Sequence, residues 1–114
     1  HVPSDCDWMY LENTLGMIAS QQQSTGWRSS GTVGSDLSTL TQGGTNTSGF
    51  TGLLSGFAWF APNFGSRNLY GYFWSSSASS ATNAFTRTYY SSNTGVQRFP
   101  DPKAMSNSVR CLKD

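Results

Sequence analysis

The residues able to do acid–base chemistry are few, and their spacing sorts them quickly. A single histidine, His1, stands at the start of the sequence. An N-terminal histidine can take part in a copper brace, but that geometry needs a second histidine, and the sequence has none. A Ser–His–Asp relay would have to use the same terminal ring as its base. The acids are Asp5, Asp7, Glu12, Asp36, Asp101 and Asp114. Glycoside hydrolysis needs two of them flanking a cleft. A helix start accounts for Asp5, Asp7 and Glu12, and the terminus for Asp114, which leaves Asp36 and Asp101 with no motif pairing them. No glycine-rich turn opens a helix after a strand, so no phosphate cradle is encoded. Cys6, Cys111 and His1 cannot complete a tetrahedral metal set without carboxylates at suitable spacing. No catalytic residue, metal site or cofactor is expected.

What the sequence does supply is equipment for recognition. Aromatic residues make up 14%, and Ser, Thr and Asn together make up a third of the chain. Rings stack on sugars or grip a protein partner, while hydroxyls and amides add adaptable hydrogen bonds. Most aromatics between Phe50 and Trp74 are expected in the core, because a β-rich domain of this size needs that many large side chains. The surface candidates lie on the exposed side of the later strands and in their loops: Phe85, Thr86, Thr88, Tyr90, Gln97, Phe99 and Asp101. Arg87, Arg98 and Arg110 are expected to make structural hydrogen bonds rather than ligand contacts, since a guanidinium suits fixed pairings. Asn46-Thr47-Ser48 fits the N-glycosylation acceptor pattern, which arises easily by chance in a chain so rich in Ser and Thr.

The elements that must position these residues follow from pattern. Ser4 caps a helix and Asp7, three residues on, completes a capping box. Trp8, Leu11 and Leu15 form its apolar stripe, and Gly16 stops it. Residues 19–49 are polar, with Trp27, Val33, Leu37 and Leu40 as sparse anchors. They predict a long ordered loop with a helical turn at Ser35–Leu40, too polar for a central strand. From Phe50 to Trp74 large apolar residues crowd between glycines, which predicts short strands and turns, including a turn at Asn63–Ser66 after Pro62. Tyr70–Ser75 reads as a buried strand and Ser75–Asn83 as a loop. Alternation predicts a strand at Phe85–Tyr90, a hairpin turn at Asn93–Gly95 and a return strand at Val96–Phe99 ended by Pro100 and Pro102. Ser108–Leu112 is expected as the last strand. The expected core is Trp8, Leu11, Leu15, Phe50, Leu53, Tyr72, Trp74 and Val109. No internal repeat is visible, and the class is α+β.

Length and charge set outer bounds. A chain of 114 residues allows one domain, spanning 1–114. Charged residues are only 11% and the net charge is +1, which excludes a clustered basic face for nucleic acid and a highly charged disordered tail. No apolar run approaches the ~20 residues that span a bilayer. The chain begins at His1 rather than Met, as expected of a processed product, a cloned fragment or one domain of something longer. Solubility through hydroxyls and amides rather than charge fits an extracellular setting. There a bridge between Cys6 and Cys111 is favoured over two free thiols. Closing a loop of about 105 residues would contribute roughly 4–5 kcal/mol in loop-entropy models.

Several stretches together resemble one family. His1-Val2-Pro3-Ser4-Asp5, Trp8, Leu11-Glu12 and Leu15-Gly16 are similar to the opening of the Fibrobacter succinogenes major paralogous domain. Gly26-Trp27-Arg28, Ser48-Gly49-Phe50, Leu53-Leu54 and Gly56-Phe57 follow in the same order. The most specific matches are Tyr70-Gly71-Tyr72-Phe73-Trp74-Ser75-Ser76-Ser77 and Ser108-Val109-Arg110-Cys111-Leu112-Lys113-Asp114, with Asn83–Arg87 and Val96–Arg98 between them. The resemblance implies a C-type lectin-like fold: one leading helix, short antiparallel strands and long ordered loops. It also implies a secreted or surface-attached bacterial protein, of a kind often carried on lipoproteins in Bacteroidota. In that fold group the leading helix packs near the last strand, which would bring Cys6 close to Cys111. The family usually carries a cysteine just ahead of its His-Val-Pro run, so either Cys6 takes over the bridge or that part lies outside this chain. The calcium-and-sugar triplets of animal lectins and the paired cysteines of formylglycine-generating enzymes have no match here.

The expectation is a non-catalytic, adhesin-like binding module that recognises a glycan or a cell-surface protein. Two alternatives stand beside it. One is a self-assembling subunit of a pilus tip, filament or surface layer. The other is a retroelement-diversified receptor binder, in which the stretch from Phe85 to Ser106 would vary between copies.

Overall fold

The computed structural model describes residues 1–59 and 64–114. Helix α1 runs Asp5–Thr14, and its ends are built as the sequence predicts. The Ser4 hydroxyl accepts from the Asp7 amide at 3.2 Å, and the Asp7 carboxylate accepts from the Ser4 amide at 2.8 Å, which completes the capping box. The Ser4 hydroxyl, which also donates to the Asp7 carboxylate at 2.7 Å, and the Ser4 amide together hold the Asp7 carboxyl below its ordinary range. At the other end Gly16 takes a left-handed φ of 95°. Gly16 N–H donates to Asn13 and Met17 N–H to Glu12, each at 2.9 Å, the paired bonds that close a helix around a C-terminal glycine.

The polar stretch expected to be irregular is more ordered than that. It holds α2 (Ala19–Gln22), β1 (Gly26–Arg28), α3 (Val33–Leu37) and a 3₁₀ turn at Leu40–Gln42. Strand β1 lies on a sheet edge, which its polarity permits. Asp36 ties down the loop that follows. Its carboxylate accepts from the hydroxyls of Thr32, Thr45 and Thr47, and its carbonyl accepts from Ser48 Oγ at 2.6 Å. Burial pushes the Asp36 carboxyl up, but the hydroxyl donors outweigh it and hold it below the ordinary range. Asn46 is spent on the same loop, bonding the Thr51 amide at 2.7 Å and the Thr51 hydroxyl at 3.1 Å.

Strands β2 (Phe57–Ala58) and β3 (Phe64–Gly65) form a small antiparallel pair. The turn expected at Asn63–Ser66 begins outside the described residues, and Phe64–Gly65 is strand. The main sheet contains β1 with β4 (Tyr70–Ala78), β5 (Asn83–Tyr90) and β6 (Val96–Pro102), in the order β1-β6-β5-β4, all neighbours antiparallel. Strand β4 runs three residues past Ser75, its predicted end, into the expected loop. Strand β6 passes through Pro100 and Pro102, the residues expected to end it. Beyond Arg98 it has lost β1 as a neighbour, so a missing N–H costs no ladder bond on that side.

Ser108–Leu112 is not a strand. Ser108 exchanges single bonds with Tyr72 and Trp74 at 2.9 and 3.0 Å, and the chain then leaves β4 for the other terminus. There Leu112 and His1 pair, each bond at 2.8 Å. Further along β4, Ser76 N–H donates to the Pro3 carbonyl at 2.8 Å. The outer edge of β4 is thus covered by two irregular segments rather than by a strand.

The core gathers Trp8, Met17, Val33, Leu37, Leu54, Phe73, Tyr89 and Val96 between the helices and one face of the sheet, with Leu11, Leu15 and Phe50 packed against it. Phe73 and Tyr89 stack at 5.7 Å. The Tyr89 ring leaves so little space that a Cβ on Gly52 would sit 1.7 Å from its hydroxyl. Four expected core residues lie outside it: Tyr72 and Trp74 are only partly buried, on the other face of β4 from Phe73, and Leu53 and Val109 face solvent. Leu53 is 58% exposed because it alternates with buried Gly52 and Leu54, and Val109 is 52% exposed because its segment never joins the ladder.

No helix among the described residues is long and apolar enough to cross a membrane. Cys6 and Cys111 are both free and exposed, so the expected bridge is absent from this structure. Arg110 and Leu112, on either side of Cys111, line a groove beside α1.

Candidate functional site

Residues alternate across a strand, so each strand of the main sheet contributes to two faces. Register assigns them. Tyr72, Thr88, Gln97 and Trp27 lie side by side across all four strands. Tyr70 pairs with Tyr90, Thr86 with Trp74 on one side and Phe99 on the other, and Ala84 with Asp101. These residues make the outer face, turned from the core.

The outer face carries a run of touching rings. Trp27 meets Tyr90 edge-on at 5.1 Å, and Tyr90 lies 5.1 Å from Tyr70. Tyr70 is 5.9 Å from Tyr72, Tyr72 is 4.7 Å from Phe57, and Phe57 is 6.4 Å from Trp59. The run therefore links the main sheet to the small β2–β3 pair. Trp27 and Trp59, at its two ends, are 44% and 50% exposed, whereas the rings between are half-buried by one another. Phe99 adds a ring that is 45% exposed on the β6 side.

Polar groups sit among the rings. Thr86 Oγ1 lies 2.7 Å from Asp101 Oδ2 and 3.1 Å from the Phe99 carbonyl oxygen, so its single hydroxyl hydrogen is shared between the two acceptors. Burial pushes the Asp101 carboxyl up, and the Thr86 bond offsets only part of that. Burial, with Tyr70 and Asp101 nearby, also pushes the Tyr72 hydroxyl up. The Thr88 hydroxyl is enclosed without a partner.

The predicted site residues divide on this geometry. Tyr90, Gln97, Phe99 and Asp101 lie on the outer face and are at least partly open to solvent. Thr86 and Thr88 share that face but are buried, contrary to expectation. Strand β5 is internal, and the larger side chains of Trp74 and Phe99, or Tyr72 and Gln97, flank each short threonine. Phe85 is on the opposite face, beneath the Arg98 guanidinium at 3.8 Å. Phe85 shares parity with Arg87 and Tyr89, not with Thr86, so it could not belong to the same surface. Trp27, Tyr70, Tyr72, Trp74 and Phe57 were not anticipated there. The signal was present in the spacing of Tyr70, Tyr72 and Trp74, but it becomes a surface only when paired with β5.

The inner face has a different chemistry. Asp5 holds Arg98 through two parallel bonds, at 2.6 and 3.0 Å, and accepts from Arg87 at 2.8 Å. Arg87 also donates to Glu12 at 2.5 Å. Glu12 in turn holds Arg28 through two bonds, at 2.6 and 2.8 Å. All five side chains are buried. Burial pushes the Asp5 carboxyl up, but its arginine partners outweigh burial and hold it below the ordinary range. Burial likewise lowers the Arg28 guanidinium, only partly opposed by Glu12. The third guanidinium has no carboxylate of its own, and the carbonyls of Gln22 and Gln23 accept from Arg28 and Arg98. Arg87 and Arg98 are thus structural, as expected. Arg110 is exposed, with its guanidinium 5.2 Å above the Phe50 ring.

The acids are accordingly committed to structure: Asp7 to the helix cap, Asp5 and Glu12 to the arginines, Asp36 to its loop and Asp101 to Thr86. Asp114 contacts the His1 ring. Among the described residues no cluster of His, Cys, Asp and Glu could hold a metal ion.

A model of the family described as Fibrobacter succinogenes major domain matches residues 1–113. No curated protein and no solved structure matches the chain.

Proposed function

We propose that the chain, which belongs to the Fibrobacter succinogenes major domain family, is a non-catalytic binding module that grips a glycan on its outer sheet face. One observation carries this reading: the unbroken run of rings from Trp27 through Tyr90, Tyr70 and Tyr72 to Phe57 and Trp59. Rings held by their neighbours lose little freedom when a ligand stacks on them, so contact converts efficiently into affinity. The arginines of the sheet are spent on the inner face, and the outer face offers rings, hydroxyls, Gln97 and one half-buried carboxyl. That mixture suits the apolar faces and hydroxyl rims of neutral sugars better than an anionic ligand. The commitment of the acids to caps, loops and ion pairs supports binding without turnover.

We read the scaffold as C-type lectin-like and its setting as the outside of a bacterial cell. The leading helix against the sheet and the pairing of His1 with Leu112 support the first. A surface made soluble by hydroxyls supports the second.

Affinity electrophoresis tests the reading, using native gels cast with mannan, xylan, laminarin or galactan. The wild type should be retarded in at least one gel, and a Trp27→Ala, Tyr90→Ala variant of unchanged fold should run freely. Retardation in none of them, or equal retardation of the variant, would sink it.

A further inference from the structure

We propose that the ring run borders, at Phe57, a specificity subsite for a single neutral sugar unit, centred on the side-chain amide of Asn107; this rests on the glycan reading above. A pocket of about 250 Å³ lies beside Phe57, lined by Ser55, Phe57, Phe64, Ser106, Asn107 and Ser108. Phe57 belongs to both the pocket and the ring run, packing on Tyr72 from one side. The pocket is therefore continuous with the aromatic face.

Asn107 is the unusual member. Both its amide nitrogen and its amide oxygen are enclosed without a hydrogen-bond partner. Buried polar groups are nearly always paired, so two orphaned atoms on one side chain call for a cause. The backbone around it is not loose. Ser106 exchanges two bonds with Ala58, at 2.9 and 3.0 Å, and Ser108 exchanges two with Tyr72 and Trp74. Asn107 is thus fixed between two anchors while its amide is held by nothing. Turning the amide into the pocket breaks no hydrogen bond, and meeting a partner there relieves two unpaired atoms at once.

The chemistry of the partner follows from the lining. An amide offers donors and an acceptor side by side, the complement of adjacent sugar hydroxyls or of an acetamido group. Ser55 and Ser108 share one hydroxyl bond at 2.7 Å, which leaves one of their hydroxyl hydrogens to give. Phe57 and the exposed Phe64 supply apolar faces for a ring. Among the described residues no ionisable side chain lines the pocket, so a carboxylated sugar would find none there to neutralise it. The volume lies below the ~300–1,000 Å³ usual for drug-sized ligands, which fits one ring rather than an oligomer.

The test is a nitrogen-15 NMR titration of the whole chain, read at the Asn107 side-chain NH₂ pair. The probes are methyl α-mannopyranoside, methyl β-galactopyranoside, N-acetylglucosamine and glucuronic acid. At least one neutral probe should move the pair, and glucuronic acid should not. In Asn107→Leu the affinity for that probe should fall at least tenfold while Tm stays level or rises, since the leucine buries no polar atom. Asn107→Ser serves as the second variant if leucine disturbs the fold. No movement with any neutral probe, or undiminished affinity in both variants, overturns the subsite. If Trp27→Ala, Tyr90→Ala abolishes gel retardation while Asn107→Leu leaves it intact, the subsite fails and the aromatic-face reading stands. If the sugar still moves the Asn107 amide but the aromatic variant is retarded like the wild type, the face reading fails instead.

Discussion

The two faces of one sheet were built to opposite rules. On the inner face, Arg28, Arg87 and Arg98 are buried and matched to Asp5 and Glu12 from the leading helix. On the outer face, residues one position away are rings that touch each other and remain partly open, with short buried threonines between them. The inner face leaves little room for substitution, because a buried charge that loses its partner cannot be solvated. The outer face tolerates change better, since solvent can fill what a side chain vacates. Stability and the proposed recognition thereby fall to the same strands without sharing a residue, which the period of two makes possible.

The largest effect should come from the inner face. Glu12→Gln leaves the buried Arg28 guanidinium without a carboxylate and takes from Arg87 one of its two. It should cost about 3–5 kcal/mol and lower Tm by roughly 10–20 °C in a calorimetric scan. A loss under about 1 kcal/mol would mean that water reaches the network.

Two aspartates give the next separation, with opposite signs. The Asp5 carboxyl titrates below its ordinary range, so its contribution is present above that range and is lost as pH falls through the depressed folded value. The Asp101 carboxyl is raised, so its ionisation on the way to neutral pH disfavours the fold. Asp5→Asn should therefore destabilise strongly at neutral pH and flatten the acid limb of a denaturation profile. Asp101→Asn should be neutral or stabilising there, since an amide oxygen still accepts from Thr86. Equal losses at pH 7 would abolish the distinction between the faces.

Ring removal should reverse the ranking of effects. Trp27→Ala should weaken glycan retention at least tenfold, yet shift stability by only about 0.5–1.5 kcal/mol, the worth of one aromatic pair. The smallest change is expected at Phe99, whose exposed ring stands apart from the linked run. Phe99→Ser should alter Tm by no more than a degree or two and retention by less than threefold. A Phe99 effect larger than that of Trp27 would shift the centre of the surface toward β6.

Much of the frame was legible because its signals are local. The Ser4–Asp7 box, the Gly16 stop and the β5–β6 hairpin follow from spacing within a few residues, and the structural roles of Arg87 and Arg98 follow from the chemistry of the guanidinium group. The errors share one cause, dependence on distant partners. Gly26-Trp27-Arg28 looked like loop because nothing nearby reveals that Val96–Arg98 will pair with it. Asp5 and Glu12 looked like helix-start acids because their arginines lie as far as 93 residues away. Tyr72 and Trp74 looked like core because large apolar residues on a strand do not say which face is covered.

By itself, then, the amino-acid order determined the helix and its ends, the positions of the later strands and the poverty of acid–base groups. Tertiary structure alone decided which side of each strand meets the helices, and so which residues became foundation and which became surface. The physical reason is that alternation fixes only relative orientation along a strand. Burying Asp5, Trp8 and Glu12 of the helix against Arg87 and Phe73 breaks that tie, and every neighbouring residue is then turned the opposite way.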